Sequence, residues 1–122
     1  MKKEILVIDD TAQNLSIISE LLKDIYKVKV ATSGKKALSY LETSKAPDLI
    51  LLDVILPGIK GREVCRRLKE DPRTSAIPVV FLTAKDSPDD VQAEKEVGAT
   101  SHLTKPVSPR MLISTVRDIL SA

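Results

Sequence analysis

Residues 48–58 read DLILLDVILPG, and this stretch carries most of the information about the fold. Four consecutive apolar residues, 49–52, predict a strand that is covered on both faces, because a half-exposed strand would alternate apolar and polar residues. Strands of this kind belong to parallel sheets with helices packed on either side. The run ends at Asp53, and the stretch contains no lysine or arginine to neutralise that carboxylate. The sequence therefore predicts a buried strand whose last side chain needs a cationic partner from elsewhere in the chain.

Segments typical of strands and of helices alternate along the rest of the chain. The other predicted strands are ILVID (5–9), KVKVA (27–31), IPVVFLTA (77–84) and residues 100–104. Apolar residues recur at helical spacing between them, and the predicted helices cover about 12–25, 33–41, 62–70, 87–98 and 108–120. Five β-α units with right-handed crossovers predict an α/β fold, a doubly wound flavodoxin-like sheet of five parallel strands in the order 2-1-3-4-5 with five helices.

The composition is that of an ordinary globular domain. The 122 residues are 43% hydrophobic and 30% charged, with a net charge of +2, so we expect a single domain over residues 1–122. This small charge excess gives no reason to expect direct binding to nucleic acid or to a membrane, and the apolar runs are too short to cross a bilayer. The lone cysteine, Cys65, excludes an internal disulfide and suits a reducing compartment. We expect a cytoplasmic protein in which Cys65 is a small buried hydrophobe.

Polar residues stand where four of the predicted strands end. They are Asp9 and Asp10 after strand one, Asp53 at the end of strand three, Thr83 in strand four, and Lys105-Pro106 after strand five. The ligand site of a doubly wound sheet lies beyond the carboxyl ends of its strands, so these side chains should converge. Three carboxylates repel one another unless cations intervene, and Lys105 supplies one positive charge. The acidic oxygens suit Mg²⁺, or Mn²⁺ in its place, and a pocket that holds both cations can accept a phosphoryl group.

The order and placement of these residues resemble the receiver domain of two-component response regulators, the CheY-like family. The resemblance covers essentially the whole chain. It implies that Asp53 is the nucleophile that takes a phosphoryl group from a phosphohistidine of a sensor kinase, in a Mg²⁺-dependent reaction. It also implies that Asp10 and Asp53 bind Mg²⁺ directly and that Asp9 acts largely through water. The backbone carbonyl of Ile55 would complete the protein ligands.

The resemblance implies roles for residues of the last two strands as well. Thr83 and Lys105 would move to bind the phosphoryl oxygens once these arrive. Pro106 would follow a cis peptide bond. His102 stands where the family usually places an aromatic switch residue, which fills the space that Thr83 vacates.

A receiver would be a signalling switch and not a stand-alone enzyme, although it would promote its own phosphorylation and dephosphorylation. The implied partners are a sensor histidine kinase or phosphotransfer protein, and an output domain or downstream protein that contacts helix four, strand five and helix five. Phosphorylation could also produce a homodimer. Segments 71–84 and 104–109 are most similar to receivers attached to cyclic-di-GMP cyclases, HD-GYP phosphodiesterases or hybrid sensor kinases. Either a single-domain regulator or a receiver from a longer protein fits the sequence.

Plain structural interpretations compete with these roles. Asp9-Asp10 or Thr83 alone would suit a helix cap, Lys105-Pro106 a surface pair, and His102 a half-exposed packing residue. The basic residues of helix three would usually form a solvated face; they are Arg62, Arg66, Arg67 and Lys69. The rival functions are a constitutive interaction module without phosphorylation chemistry, and an enzyme such as a flavodoxin or a dehalogenase-like phosphatase. The adjacent acids after strand one count against both enzymes, which need a phosphate-binding loop or Asp-x-Asp there.

Two positions beside the site depart from many members of the family. They lie two residues after Asp53 and two residues after Thr83, where this chain has Ile55 and Lys85. A bulky apolar side chain at the mouth of the site would hinder an attacking water molecule. We therefore expect the phosphorylated state to be long-lived because of Ile55.

Overall fold

The described residues, 2–84 and 87–121, form five strands and five helices in alternation in the computed structural model. The strands are β1 (Glu4–Ile8), β2 (Lys27–Ala31), β3 (Leu49–Asp53), β4 (Val79–Thr83) and β5 (Ser101–Thr104). The helices are α1 (Ala12–Leu22), α2 (Gly34–Thr43), α3 (Gly61–Glu70), α4 (Pro88–Glu96) and α5 (Pro109–Ser121). The strands build one parallel sheet in the order β2-β1-β3-β4-β5, which confirms the predicted fold. Within the described ranges, no helix is long and apolar enough to span a membrane.

The two inner strands β3 and β4 explain the continuous apolar runs of the sequence. Every residue of both strands is buried. Side chains alternate between the faces of a strand, so Ile50 and Leu52 belong to a core with α2 and α3, whereas Leu49 and Leu51 belong to a core with α1 and α5. Because helices cover both faces, these strands contain apolar residues at nearly every position.

Two predicted boundaries are wrong because local turns lie where the apolar pattern continues. α1 ends at Leu22 and leaves Ile25 54% exposed, so the apolar spacing continues past the helix. β4 begins at Val79 and not at residue 77, since the N–H of Ile77 donates to the carbonyl of Thr74 in a turn before the strand. The continuous apolar run hides this turn, because Ile77 is also buried.

Polar residues begin two of the helices as predicted. The Ser33 hydroxyl accepts a hydrogen bond from the backbone N–H of Lys36 at the start of α2. The Ser87 hydroxyl accepts one from the N–H of Asp90 at 3.2 Å at the start of α4. Gly98 follows α4 with a φ of +94°, a conformation that favours glycine and ends a helix. These local signals fix where α2 and α4 begin and where α4 ends.

The basic residues of α3 do not all form the solvated face that is usual for such a surface. Arg66 and Arg67 are exposed and form ion pairs with Glu63 on the same helix, as expected of a solvated face. Arg62 instead forms an ion pair with a residue of α4, and Lys69 donates hydrogen bonds to backbone carbonyls beyond the end of α3. The contact of Arg62 ties α3 to α4.

Cys65 on α3 is completely buried, as predicted. Its thiol donates a hydrogen bond to the carbonyl of Val97, with a sulfur–oxygen distance of 3.3 Å. Burial raises the pKa of this thiol to about 11, although the charge of Lys69 opposes the shift. Since the thiolate is the reactive form, burial and the raised pKa favour a packing role for Cys65.

Candidate functional site

Three carboxylates meet at the carboxyl edge of the sheet. β1 and β3 are parallel neighbours, so Asp9, just after β1, lies near Asp53, the last residue of β3. One oxygen from each of Asp9, Asp10 and Asp53 lies within 4.8 Å of the other two. Asp9 and Asp53 are buried, whereas Asp10 is exposed. Hard oxygen donors that open to solvent on one side fit a divalent cation that retains part of its water shell.

Hydrogen bonds hold the carboxylate of Asp9 in place. Its Oδ1 accepts from the backbone N–H of Thr11 at 2.9 Å, and its Oδ2 accepts from the side-chain amide of Asn14 at 3.3 Å. The N-cap of α1 is Thr11, so neither Asp9 nor Asp10 caps this helix. Sequence analysis missed Asn14, because its only signal is a position on the first turn of the helix that follows the site.

Lys105 is the cation that the buried Asp53 requires. Its Nζ lies 2.8 Å from Asp53 Oδ2 and 3.2 Å from Asp9 Oδ2, and its side chain is 24% exposed. Burial by itself lowers the pKa of this ammonium, but hydrogen bonds and charges from Asp53, and then from Asp9, outweigh it and hold the pKa above its ordinary value. Lys105 is therefore a charged bridge between two carboxylates that are distant in sequence.

The backbone around Lys105 places it between β4 and β5. Its N–H donates to the carbonyl of Thr83 at 2.7 Å, which extends the pairing of these strands by one residue. The Lys105–Pro106 peptide bond is cis. The Lys105 side chain thus begins beside the Thr83 backbone and extends across the carboxyl edge of the sheet, where its ammonium contacts Asp53.

The segment after Asp53 supplies a further contact to the carboxylate. The backbone N–H of Ile55 donates to Asp53 Oδ1 at 3.0 Å, while the Ile55 side chain is 55% exposed. Among the described residues, Oδ1 of Asp53 thus accepts from this N–H and Oδ2 accepts from Lys105. Lys85, the second of the two departing positions, lies outside the described residues.

Thr83 and His102 share one face of the sheet. Thr83 ends β4 and is 2% exposed, and His102 on β5 is half-buried. The register pairs Phe81 with His102 and Thr83 with Thr104. Because paired residues of parallel strands point to the same side, and residues two apart on a strand share a face, Thr83 and His102 point the same way. The two residues are therefore diagonal neighbours on that face of the sheet.

Gly61 is a residue that the sequence marks only as part of a loop. Its N–H donates to the carbonyl of Val54 at 3.0 Å. A Cβ added at Gly61 would lie 2.1 Å from the backbone oxygen of Asp53 and 2.8 Å from Cα of Val54. Only glycine lets the start of α3 approach the backbone of Asp53 so closely. The position of α3 is thereby linked to that of the carboxylate.

The fold and this lysine-bridged acidic site define a class of doubly wound domains, and comparison with known proteins gives the family. The family model of the response regulator receiver domain matches residues 5–117. The chain belongs to this family, which confirms the resemblance stated from the sequence.

Individual relatives agree with this assignment. The chain is 43% identical over 116 residues to a probable cyclic di-GMP phosphodiesterase of Vibrio cholerae, and 42% identical over 120 residues to the response regulator PleD of Caulobacter vibrioides. These alignments cover 95% and 98% of this chain but only 26% of each relative. The chain thus spans about a quarter of the length of these two proteins. The crystal structure of the chemotaxis protein CheY4 of Vibrio cholerae is similar to it with a TM-score of 0.91 at 30% identity, covering 98% of this chain and 99% of that one.

Proposed function

We propose that this chain is a phosphorylation-controlled switch in which Asp53 accepts a phosphoryl group from a phosphohistidine of a sensor histidine kinase or phosphotransfer protein. The observation that carries the proposal is the position of Lys105 Nζ between the buried carboxylates of Asp53 and Asp9, with Asp10 exposed beside them. Phosphoryl transfer to a carboxylate depends mainly on positioning and on charge stabilisation. The hydrogen-bonded carboxylate of Asp53 supplies the positioning, and the ammonium of Lys105 supplies the charge stabilisation.

The proposed reaction is an in-line displacement at phosphorus. An oxygen lone pair of Asp53 forms the new P–O bond, the P–N bond to the donor imidazole breaks, and the bonding pair leaves with the imidazole nitrogen. The Asp53 oxygen loses its negative charge in the acyl phosphate, so Lys105 transfers its interaction from that carboxylate to the phosphoryl oxygens. The Thr83 hydroxyl moves inward and donates a hydrogen bond to one of these oxygens.

Asp10 and Asp53, together with the backbone carbonyl of Ile55, would hold Mg²⁺, with Asp9 acting largely through water. When bound, the ion offsets the charge of the carboxylates and of the phosphoryl oxygens. Paramagnetic Mn²⁺ should take the same place, so substoichiometric Mn²⁺ should broaden the backbone NMR resonances of residues 9, 10 and 53 before others. Asp10→Asn should reduce this broadening, whereas Asp24→Asn, at an exposed acid outside the site, should not.

Phosphorylation would then change the surface formed by α4, β5 and α5. The shared face of Thr83 and His102 supports His102 as the residue that follows Thr83 inward. We propose that this surface contacts an output domain, a downstream protein or a second copy of the chain. Because one relative is a probable cyclic di-GMP phosphodiesterase of Vibrio cholerae, cyclic di-GMP turnover is one output to test.

Ile17 and Ile55 support the proposal of a protein phosphodonor. Their side chains are 50% and 55% exposed, and Ile17 lines the same cavity of about 140 Å³ as Asp9 and Lys105. Exposed apolar side chains beside a charged site suit docking of a protein surface.

We propose one receiver domain over residues 1–122, cytoplasmic because its cysteine is free and buried, with no direct contact to nucleic acid or membrane. The chain is a phosphoacceptor and not an enzyme with a separate substrate.

Mass spectrometry after incubation with acetyl phosphate and Mg²⁺ tests the proposed function. The wild-type protein should gain one phosphoryl mass, and Asp53→Ala should gain none. Asp48→Ala, which removes an exposed acid at the opposite end of β3, should be phosphorylated like the wild type. Absence of the added mass, or its persistence in Asp53→Ala, would favour a constitutive interaction module.

A further inference from the structure

α4 contains an unusual buried group. Its one buried residue among the described side chains is a carboxylate, Glu94, which is 2% exposed. Among the described residues, the buried side-chain atoms without a hydrogen-bond partner are both carboxylate oxygens of Glu94 and Nε of Arg62. A buried polar group without partners raises the free energy of the conformation that contains it. Burial of the Glu94 carboxylate therefore carries a free-energy cost in the α4 position seen here.

Arg62 lies near Glu94 but forms its short ion pair with another residue of α4. Arg62 Nη2 lies 3.0 Å from Asp90 Oδ1 in the first turn of α4, but 3.9 Å from Glu94 Oε2 one turn further on. Ser87 donates a hydrogen bond to the other Asp90 oxygen at 2.7 Å, so Asp90 is well held. Arg62 thus anchors the start of α4, whereas its contact with Glu94 is long.

The surroundings of Glu94 explain why its charge is costly. Burial raises the pKa of Glu94, the charges of His102 and then Arg62 oppose this shift, and Asp90 adds to it. A cavity of about 40 Å³ between α4 and β5 is lined by Glu94, His102 and Val91, among others. This space has roughly the volume of one water molecule. Displacement of α4 away from β5 would enlarge this space and admit more water to Glu94.

Arg62 also connects this cluster to the site. It follows Gly61, the residue that packs against the backbone of Asp53. At the start of α3, Gly61 thus contacts the end of β3, which bears Asp53, and Arg62 contacts the first turn of α4. The start of α3 therefore provides a continuous series of contacts from the backbone of Asp53 to α4.

We propose that Glu94 is a positioning residue for α4, and that the burial of its carboxylate shifts the equilibrium of the domain away from the α4 position seen here and toward the phosphorylated-state conformation. This inference rests on the proposed function, because it assumes that occupancy of Asp53 repositions α4. A ligand shifts a two-state equilibrium according to how much more tightly it binds one state than the other. A residue that raises the free energy of the state the ligand binds less tightly therefore assists the ligand. Removal of the charge should make the switch harder to operate.

The test is the affinity for beryllofluoride, a phosphoryl mimic, measured by NMR titration with saturating Mg²⁺ at neutral pH. Glu94→Gln keeps the shape of the side chain and removes its charge. We expect it to increase the free energy of unfolding without ligand and to weaken beryllofluoride binding by about three- to tenfold, since the extra cost of burying a charge rather than a neutral amide is of this order. Glu96→Gln, at an exposed position of the same helix, should change neither quantity.

Glu94→Ala separates charge from shape. It removes the same charge and leaves space in place of the side chain, so its affinity for beryllofluoride should fall in the same direction as that of Glu94→Gln, whatever its stability. If both variants change stability but bind beryllofluoride as tightly as the wild type, Glu94 is only structural and the inference is overturned. If the wild type itself does not bind beryllofluoride, the proposed function fails, and the inference fails with it.

Discussion

Replacement of Lys105 by methionine should destabilise the protein by about 2–3 kcal/mol, and Mg²⁺ should restore much of the loss. The variant keeps an unbranched side chain but removes the ammonium that lies 2.8 Å from Asp53 and 3.2 Å from Asp9. Breaking a buried ion pair by removing one partner costs about 3–5 kcal/mol. Because the Lys105 side chain is 24% exposed, solvent screens part of this interaction, and the lower figure follows.

Chemical denaturation at neutral pH, with and without MgCl₂, measures the effect. A loss of this size corresponds to a fall in Tm of roughly 6–15 °C for a domain of this length. Mg²⁺ should stabilise Lys105→Met more than the wild type, because in the variant it alone relieves the repulsion between the carboxylates. Lys35→Met, at an exposed lysine of α2, should differ from the wild type by no more than about 0.5 kcal/mol.

A double variant shows whether the loss arises from the carboxylates. Adding Asp53→Asn to Lys105→Met should recover part of the stability, so the two changes should be clearly non-additive. The reasoning is refuted if Lys105→Met is as stable as the wild type without Mg²⁺. It is equally refuted if Mg²⁺ stabilises the variant no more than it stabilises the wild type.

Four further predictions follow from single positions. Gly61→Ala should lower the free energy of unfolding by about 1–3 kcal/mol in urea denaturation, because its Cβ would collide with the backbone of Asp53. Glu94→Gln should be more stable than the wild type at neutral pH. Since the folded-state pKa of Glu94 is raised from 4.5, the wild-type carboxyl becomes protonated as the pH falls, and the difference in free energy of unfolding between the two proteins should shrink as the pH approaches 4.5. A difference that does not change with pH would contradict this. Ile55→Asn should speed loss of the phosphoryl group, measured by phosphate release, and an unchanged rate would exclude a shielding role. Cys65 should react with a thiol reagent at neutral pH only in denaturant, because it is buried and its pKa is raised.

The central strands and the convergence of the site were predictable from the sequence for a physical reason. A run such as residues 49–52 is typical of a strand that is covered on both faces in a parallel sheet. In such a sheet the end of each strand has a defined place, so Asp9, Asp53 and Lys105 had to come together even though they are far apart in the chain. Local signals such as the Ser33 cap were equally readable, because they depend on neighbouring residues alone.

Contacts between helices were not predictable in the same way. The approach of Gly61 to the backbone of Asp53 depends on where α3 lies above the sheet, which spacing along the chain does not determine. Arg62 is likewise one of several basic residues in α3, and only the relative rotation of α3 and α4 directs it to Asp90 rather than to solvent. Glu94 would count as an exposed helical glutamate by residue type, yet it is buried. Such features arise from tertiary packing and not from local preference.

Identification of the phosphorylated residue tests the central claim most directly. After incubation with acetyl phosphate and Mg²⁺, borohydride reduces an aspartyl phosphate to homoserine, and tandem mass spectrometry locates that residue in the digested chain. The account predicts homoserine at position 53 and at no other aspartate. Homoserine at another position, or unmodified Asp53 in protein shown to be folded, would contradict it.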